Sequence, residues 1–183
     1  MLILASASPR RHELLLAAGI PHVVRPTAVP EIRRPGESPP DFVRRLAHEK
    51  ARAATASPGD IVLGADTVVC LDGEVFGKPE NDEDIGRMLR LLSGRQHLVL
   101  TGICLIGNGS CVVDLSTTEV SFAQLTEQEV SEYTQSGEPA GKAGAYAIQG
   151  LASKFVISLQ GSYQNVVGLP VSLVYRHLKA WPT

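Results

Sequence analysis

An apolar, strand-like run, Ile61–Leu71 (IVLGADTVVCL), carries one acid, Asp66, in its middle. Aspartate is disfavoured inside a strand, and burying its charge alone is costly. Any fold that contains this strand must therefore bring a cation, a metal or hydrogen-bond donors to Asp66. Alternation along the strand puts Asp66 on the face of Gly64 and Val68, with Ala65 and Thr67 opposite. The plainer alternative is an aspartate that ends one strand and caps a turn at Gly64-Ala65. A functional carboxylate is the reading favoured here.

The opening residues, MLILASASPRRHELLLAAGI, raise a second conflict. Leu2-Ile3-Leu4 reads as a short buried strand, Ser8 as an N-cap, Pro9 as the first helical residue and Gly19 as the helix end. Yet Arg10 and Arg11 occupy the first turn, where the helix dipole disfavours cations. A strand, a turn of small residues and a helix start together aim backbone N–H groups at an anion. Ser6 and Ser8 add hydroxyls and the arginines add charge, so a phosphate chain would turn the conflict into attraction. Otherwise both side chains extend into solvent.

Three lysines extend the pattern. Val43, Ala47, Lys50 and Ala54 fall at i, i+4, i+7 and i+11 of a helix expected over about 41–55, which places Lys50 on the apolar stripe. A snorkelling stem is the alternative. Lys78 lies in a tight Gly77-Lys78-Pro79 loop, and Lys142 in a glycine-rich one. Glu31 is a lone acid between apolar residues, either loop surface or a second carboxylate. Arginines at a helix start, lysines in glycine loops and one or two carboxylates suggest phosphoanhydride chemistry. In such chemistry cations hold the phosphates, while carboxylates hold a divalent metal or activate water. The rival signatures are missing: there is no G-x-x-x-x-G-K-S/T, no G-x-G-x-x-G after a strand and no G-x-S-x-G.

Around these positions the chain alternates strands and helices without a regular βαβ rhythm. Residues 21–40 read as strand fragments and loop. Asp72-Gly73 turns the Asp66 strand into a short return strand. Asn81 or Asp82 caps a helix bearing Ile85, Met88, Leu89 and Leu92. A long hairpin spans 96–106 and 111–122 around Asn108-Gly109, and Thr126 with Glu129 forms a capping box. A strand at Phe155–Leu159 and a closing helix at Pro170–Ala180 complete the order. The expected fold is α/β, a mixed twisted sheet with flanking helices and two lobes around a central cleft, within one domain over 1–183.

A net charge of −2 argues against a broad nucleic-acid face. Arg33-Arg34 and Arg44-Arg45 add local basic pairs, so an anion site should be compact. Cys70, Cys104 and Cys111 lie in apolar strand-like runs without C-x-x-C spacing, which predicts buried, reduced thiols. The five histidines form no pair at metal-ligand spacing, so zinc is not expected. MLIL is too short for a signal-peptide core and no apolar run approaches a membrane span, which points to a cytoplasmic protein.

The blocks LASASPRRHELL, GADTVV, FGKP, LSGRQH followed by VLTG, and KAGAYAIQG with NVVGLP run in order from Leu4 to Pro170. In that combination the chain resembles the Maf family of nucleoside triphosphate pyrophosphatases. The resemblance implies a cytoplasmic, metal-dependent enzyme (Mg, Mn or Co), often a homodimer, with an inosine-triphosphatase-like fold. It implies hydrolysis of a nucleoside triphosphate to the monophosphate and diphosphate, and KAGAYAIQG is similar to the branch acting on dTTP and UTP. By position, Asp66 matches the proton acceptor, and Arg10, Thr67 and Gln149 match residues linked to substrate choice. Arg11, Glu31, Lys50 and Lys78 fall at further family site positions; with Ser8 from the local chemistry, Arg11, Lys50 and Lys78 are the candidate phosphate-binding residues, and Glu31 is the candidate metal ligand or second carboxylate. The family's association with septum formation implies an alternative, a nucleotide-binding regulator of division with slow or incidental hydrolysis.

Overall fold

The computed structural model describes residues 1–182. Strands β1 (Leu2–Ala5), β2 (His22–Val24), β3 (Ile61–Leu71), β4 (Glu74–Phe76), β5 (Gln96–Gly107), β6 (Ser110–Phe122) and β7 (Val156–Gln160) alternate with helices. The helices are α1 (Pro9–Ala17), α2 (Pro39–Ala53), α3 (Asp82–Leu92), α4 (Glu127–Gln135), α5 (Tyr163–Val167) and α6 (Val171–Lys179). Among the described residues the strands form one seven-stranded sheet in the order β2-β1-β3-β5-β6-β7, with β4 added to β3. β1 pairs parallel with both β2 and β3, whereas β3–β4 and β6–β7 are antiparallel, so the sheet is mixed as expected. No helix among the described residues is long and apolar enough to cross a membrane.

The chain divides into two compact units. The first comprises residues 1–67, 101–116 and 168 onward; the second comprises 68–100 and 117–167. In the first unit the strand period of two sorts residues onto opposite faces. Leu2, Leu4, Leu63, Ala65, Ile103 and Leu105 pack with Leu15 of α1 and Leu173 and Val174 of α6. Their neighbours Ile3, Ala5, Val62 and Cys104 pack with Ala47 and Ala51 of α2. Full burial of one such leucine contributes roughly 1.5–3 kcal/mol.

α2 lies unusually close to its face of the sheet, and two glycines allow it. A Cβ on Gly64 of β3 would sit 2.6 Å from the Ala51 nitrogen and collide with the Ala47 carbonyl oxygen. A Cβ on Gly102 of β5 would sit 2.7 Å from the Arg44 nitrogen and collide with the Val43 carbonyl. Both strands thus present bare backbone to one helix.

In the second unit His97 and Tyr146 share a 2.9 Å hydrogen bond, and Phe122 stands edge-on to both rings. The capping box at Thr126 and Glu129 forms as the sequence predicts. Two expectations shift. α2 begins at Pro39 rather than Asp41, because Pro39 suits the first turn and the Ser38 hydroxyl accepts from the Asp41 N–H. Cys111 is exposed, unlike the buried Cys70 and Cys104.

Gly64→Ala should lower stability by about 3 kcal/mol in urea unfolding, because the clash is with helix backbone that cannot rotate away. Wild-type stability would show that α2 has room to retreat.

Candidate active site

α1 opens with Pro9 at its first position and Ser8 at the N-cap, but the Ser8 hydroxyl makes no capping bond. Instead the Ser8 backbone N–H donates to Ser6 Oγ at 3.2 Å. Arg10 is half-buried; desolvation lowers its pKa, with Glu13 acting against that. Arg11 turns inward and is only 9% exposed. Its Nε donates to the Gly168 carbonyl (2.8 Å), and one terminal nitrogen donates to Ser6 Oγ (3.0 Å) and the Ala65 carbonyl (2.9 Å). The other donates to Thr67 Oγ1 at 3.1 Å. Four of the five guanidinium N–H groups are therefore directed at protein atoms. The Arg11 cation is thereby fixed to the two residues that flank Asp66 on β3.

Thr67 Oγ1 also meets Thr101 Oγ1 at 2.9 Å and donates to the Gly168 carbonyl at 3.2 Å. A hydroxyl with one donor and two acceptor sites is fully used by these contacts. The sequence placed Thr67 at a position linked to substrate choice; the structure places it in this polar lock. Ser6, Thr101 and the Gly168 carbonyl went unforeseen as partners.

On the opposite face, α2 delivers Lys50, which is 7% exposed. Its Nζ donates to Asp66 Oδ1 at 2.6 Å and to Glu31 Oε1 at 2.7 Å. The snorkelling alternative for Lys50 is thereby excluded. Asp66 is 5% exposed, in mid-strand rather than at a turn. Glu31 comes from the segment between β2 and α2, and its side chain stays 40% exposed. Two carboxylates thus converge on one buried ammonium, with a guanidinium behind the strand.

Burial pushes the Asp66 carboxyl above the ordinary aspartate range, against the pull of Lys50 and Arg11 and with Glu31 adding to the rise. Desolvation lowers Arg11, which the charges of Asp66 and Glu31 oppose. For Asp66 the linkage runs against folding at neutral pH. Its favourable contribution is present below the ordinary aspartate pKa and is lost as pH rises through the raised value.

The remaining sequence candidates belong to the second unit. Lys78 is exposed in the loop after β4. The Gly144 N–H donates to the Gly77 carbonyl at 3.0 Å, joining that loop to the turn that contains Lys142. Gln149 is exposed between the short 3-10 turns Ala143–Ala145 and Leu151–Phe155. Tyr133 and Glu138 hold that segment: the Ala147 N–H donates to Tyr133 Oη (3.1 Å), which donates to Glu138 Oε1 (2.8 Å). Glu138 Oε2 accepts from the Leu151 N–H at 3.0 Å.

Lys50→Met should destabilise the protein by about 3–5 kcal/mol at neutral pH, because it leaves an ionised carboxylate buried without its cation. The deficit should shrink on acidification, as Asp66 takes up a proton. Urea unfolding at several pH values checks both, and a pH-independent loss would mean that packing alone is at stake.

A family model described as Maf-like protein matches residues 1–181. A dTTP/UTP pyrophosphatase of Koribacter versatilis is 49% identical over 179 residues, covering 97% of this chain and 93% of that protein. One of Anaeromyxobacter dehalogenans is 53% identical over 175 residues, covering 93% and 89%. One of Bacillus cereus is 47% identical over 179 residues, covering 97% and 94%. Among solved structures, the Ham1 protein of Staphylococcus aureus matches with a TM-score of 0.57 over 98% of both chains. At 14% identity that likeness is one of fold.

Proposed function

This chain belongs to the Maf family, and we propose that it hydrolyses dTTP and UTP to the monophosphate and diphosphate, with Asp66 as proton acceptor. The observation that carries the reading is the buried Asp66, gripped by Lys50 at 2.6 Å, in a chain about half identical to relatives named dTTP/UTP pyrophosphatase. A general base works best with a pKa brought toward the operating pH, and burial moves Asp66 in that direction. Lys50 fixes one carboxylate oxygen, so the proton is taken from a water aligned by a preset orientation. Arg11 holds the strand at Ala65 and Thr67, which sets where Asp66 stands.

A divalent cation belongs to the same proposal and is supported by the family resemblance. The Lys50 ammonium occupies the point on which Asp66 Oδ1 and Glu31 Oε1 converge, and magnesium is commonly held by one or two carboxylates together with substrate phosphates. When bound it would neutralise charge on the phosphates. Arg10, Ser8, Lys78 and Lys142 supply further candidate phosphate contacts, and Gln149 is the candidate reader of the base. Uracil and thymine present a carbonyl at C4 beside an N3–H, and a carboxamide can pair with both. A cytoplasmic homodimer belongs to the same proposal and is supported by the family resemblance.

Diphosphate release over a panel of triphosphates with Mg²⁺, Mn²⁺ and Co²⁺ tests the reading. dTTP and UTP should rank first, CTP should trail, and ATP and GTP should be poor. Gln149→Glu should harm UTP and dTTP more than CTP, because a carboxylate repels the C4 carbonyl yet accepts from the amine of cytosine. The acid limb of kcat/KM should lie above the ordinary aspartate range, since activity needs the ionised form of a carboxyl whose pKa is raised. Tight binding of UTP with negligible turnover would instead favour a regulator.

A further inference from the structure

The basic pairs Arg33-Arg34 and Arg44-Arg45 are not taken up by the site described above, and the structure shows where they go. Arg45 lies on α2 one helical stretch before Lys50, with its side chain 15% exposed. Its Nε donates to Glu37 Oε1 at 2.6 Å, and a terminal nitrogen donates to Glu37 Oε2 at 2.8 Å. This is the two-pronged pairing that a planar guanidinium makes with a carboxylate. The same terminal nitrogen donates to the carbonyl of Ile32 at 3.0 Å, and the remaining one reaches both oxygens of Glu49 at 3.2 Å. Glu37 in turn accepts from the Arg34 backbone N–H at 3.0 Å through Oε2. Arg33 Nε donates to the Glu37 carbonyl at 2.7 Å. Arg34 closes the set on Glu49 at 3.2 Å.

Apart from the Arg45–Glu49 contacts within α2 and the Arg34–Glu49 contact, which also ties the segment to α2, these bonds join Arg45 to residues 32–37 or residues 33–37 to one another. That segment follows Glu31 directly, and the Ile32 carbonyl that Arg45 grips belongs to the next residue along the chain. Segments between β2 and α2 without secondary structure of their own need such ties to hold a single conformation. The hydrogen bonds from Arg45 pull the Glu37 carboxyl down to about 2, so the clamp is charged at neutral pH.

We propose that Arg45 and Glu37 form a clamp that positions Glu31 against Lys50 and Asp66, so that Arg45 acts on turnover through Glu31. α2 then supplies both ends of one device: Lys50 receives the carboxylate, and Arg45 fixes the backbone that presents it. The inference rests on the reading of Glu31 as a site residue. It separates the two arginines of the pair, since Arg44 makes only a 3.7 Å contact to Asp41 on its own helix among the ion pairs of the described residues.

A double-mutant cycle on diphosphate release from UTP with Mg²⁺ tests this. Arg45→Met keeps the apolar stem and removes the fork, and Glu37→Gln keeps the shape and removes the charge. Groups that orient metal-ligating side chains typically carry about 10–100-fold in activity, and a group that orients Glu31 is taken at the low end of that range. Arg45→Met should accordingly lower kcat/KM about tenfold, with a smaller loss for Glu37→Gln. In a Glu31→Gln background both should cost nothing further. A merely structural clamp would lower activity by the same factor in both backgrounds, and that additivity would overturn the inference while leaving Glu31 a site residue. If Glu31→Gln retains wild-type kinetics, the reading of Glu31 falls and the inference with it. Should Arg45→Met fail to fold, Glu37→Gln alone completes the cycle, and wild-type kcat/KM in that variant would overturn the clamp.

Discussion

The hydrogen-bonded ion pair between Lys50 Nζ and Asp66 Oδ1 places opposite charges from α2 and β3 in the interior, 2.6 Å apart. Desolvating both ions is expensive, and their attraction offsets that cost only with close geometry and further hydrogen bonds. The close geometry comes from what lies beside it. Gly64 and Gly102 remove the side chains that would hold α2 off the sheet, so a lysine on the helix reaches a carboxylate on the strand. Glu31 supplies the second hydrogen bond to the ammonium. A floor of bare backbone, a helix pressed onto it and a loop carboxylate are thus parts of one arrangement.

Arg11 solves the complementary problem from the other face. Cations in the first turn of a helix oppose its dipole, yet here the guanidinium is committed to carbonyl oxygens of Ala65 and Gly168 and to hydroxyls of Ser6 and Thr67. Buried carbonyls need donors, and one side chain satisfies several of them on separate segments. The unfavourable helix-end position is offset by these bonds, and the strand around Asp66 gains a fixed backbone. Asp66 is therefore held from two sides, its backbone neighbourhood by Arg11 and its carboxylate by Lys50. That leaves a carboxylate of set position and raised basicity.

Local chemistry was legible in the sequence; long-range pairing was not. The Asp72-Gly73 and Asn108-Gly109 hairpins and the Thr126–Glu129 capping box depend on residues a few positions apart, and all three form. Asp66 and Lys50 each stood out as a charge on an apolar stripe, but their pairing depends on how α2 sits over β3. A glycine inside a strand can mark a close backbone approach, so Gly64 and Gly102 held the missing signal. The Arg11 bond to Gly168 spans 157 residues of sequence. Arg11 is anomalous locally as a cation in the first turn of a helix, and carbonyl partners so distant leave no local trace.

The central claim, that Asp66 takes the proton of the attacking water, is tested most directly by steady-state turnover of UTP in Asp66→Asn beside its thermal unfolding. An amide keeps the shape and can still accept a hydrogen bond from Lys50, but it cannot take a proton. A folded protein whose kcat is lower by about 10²–10⁴-fold is expected, the usual contribution of a general base. Wild-type kcat in a folded Asp66→Asn protein would contradict it.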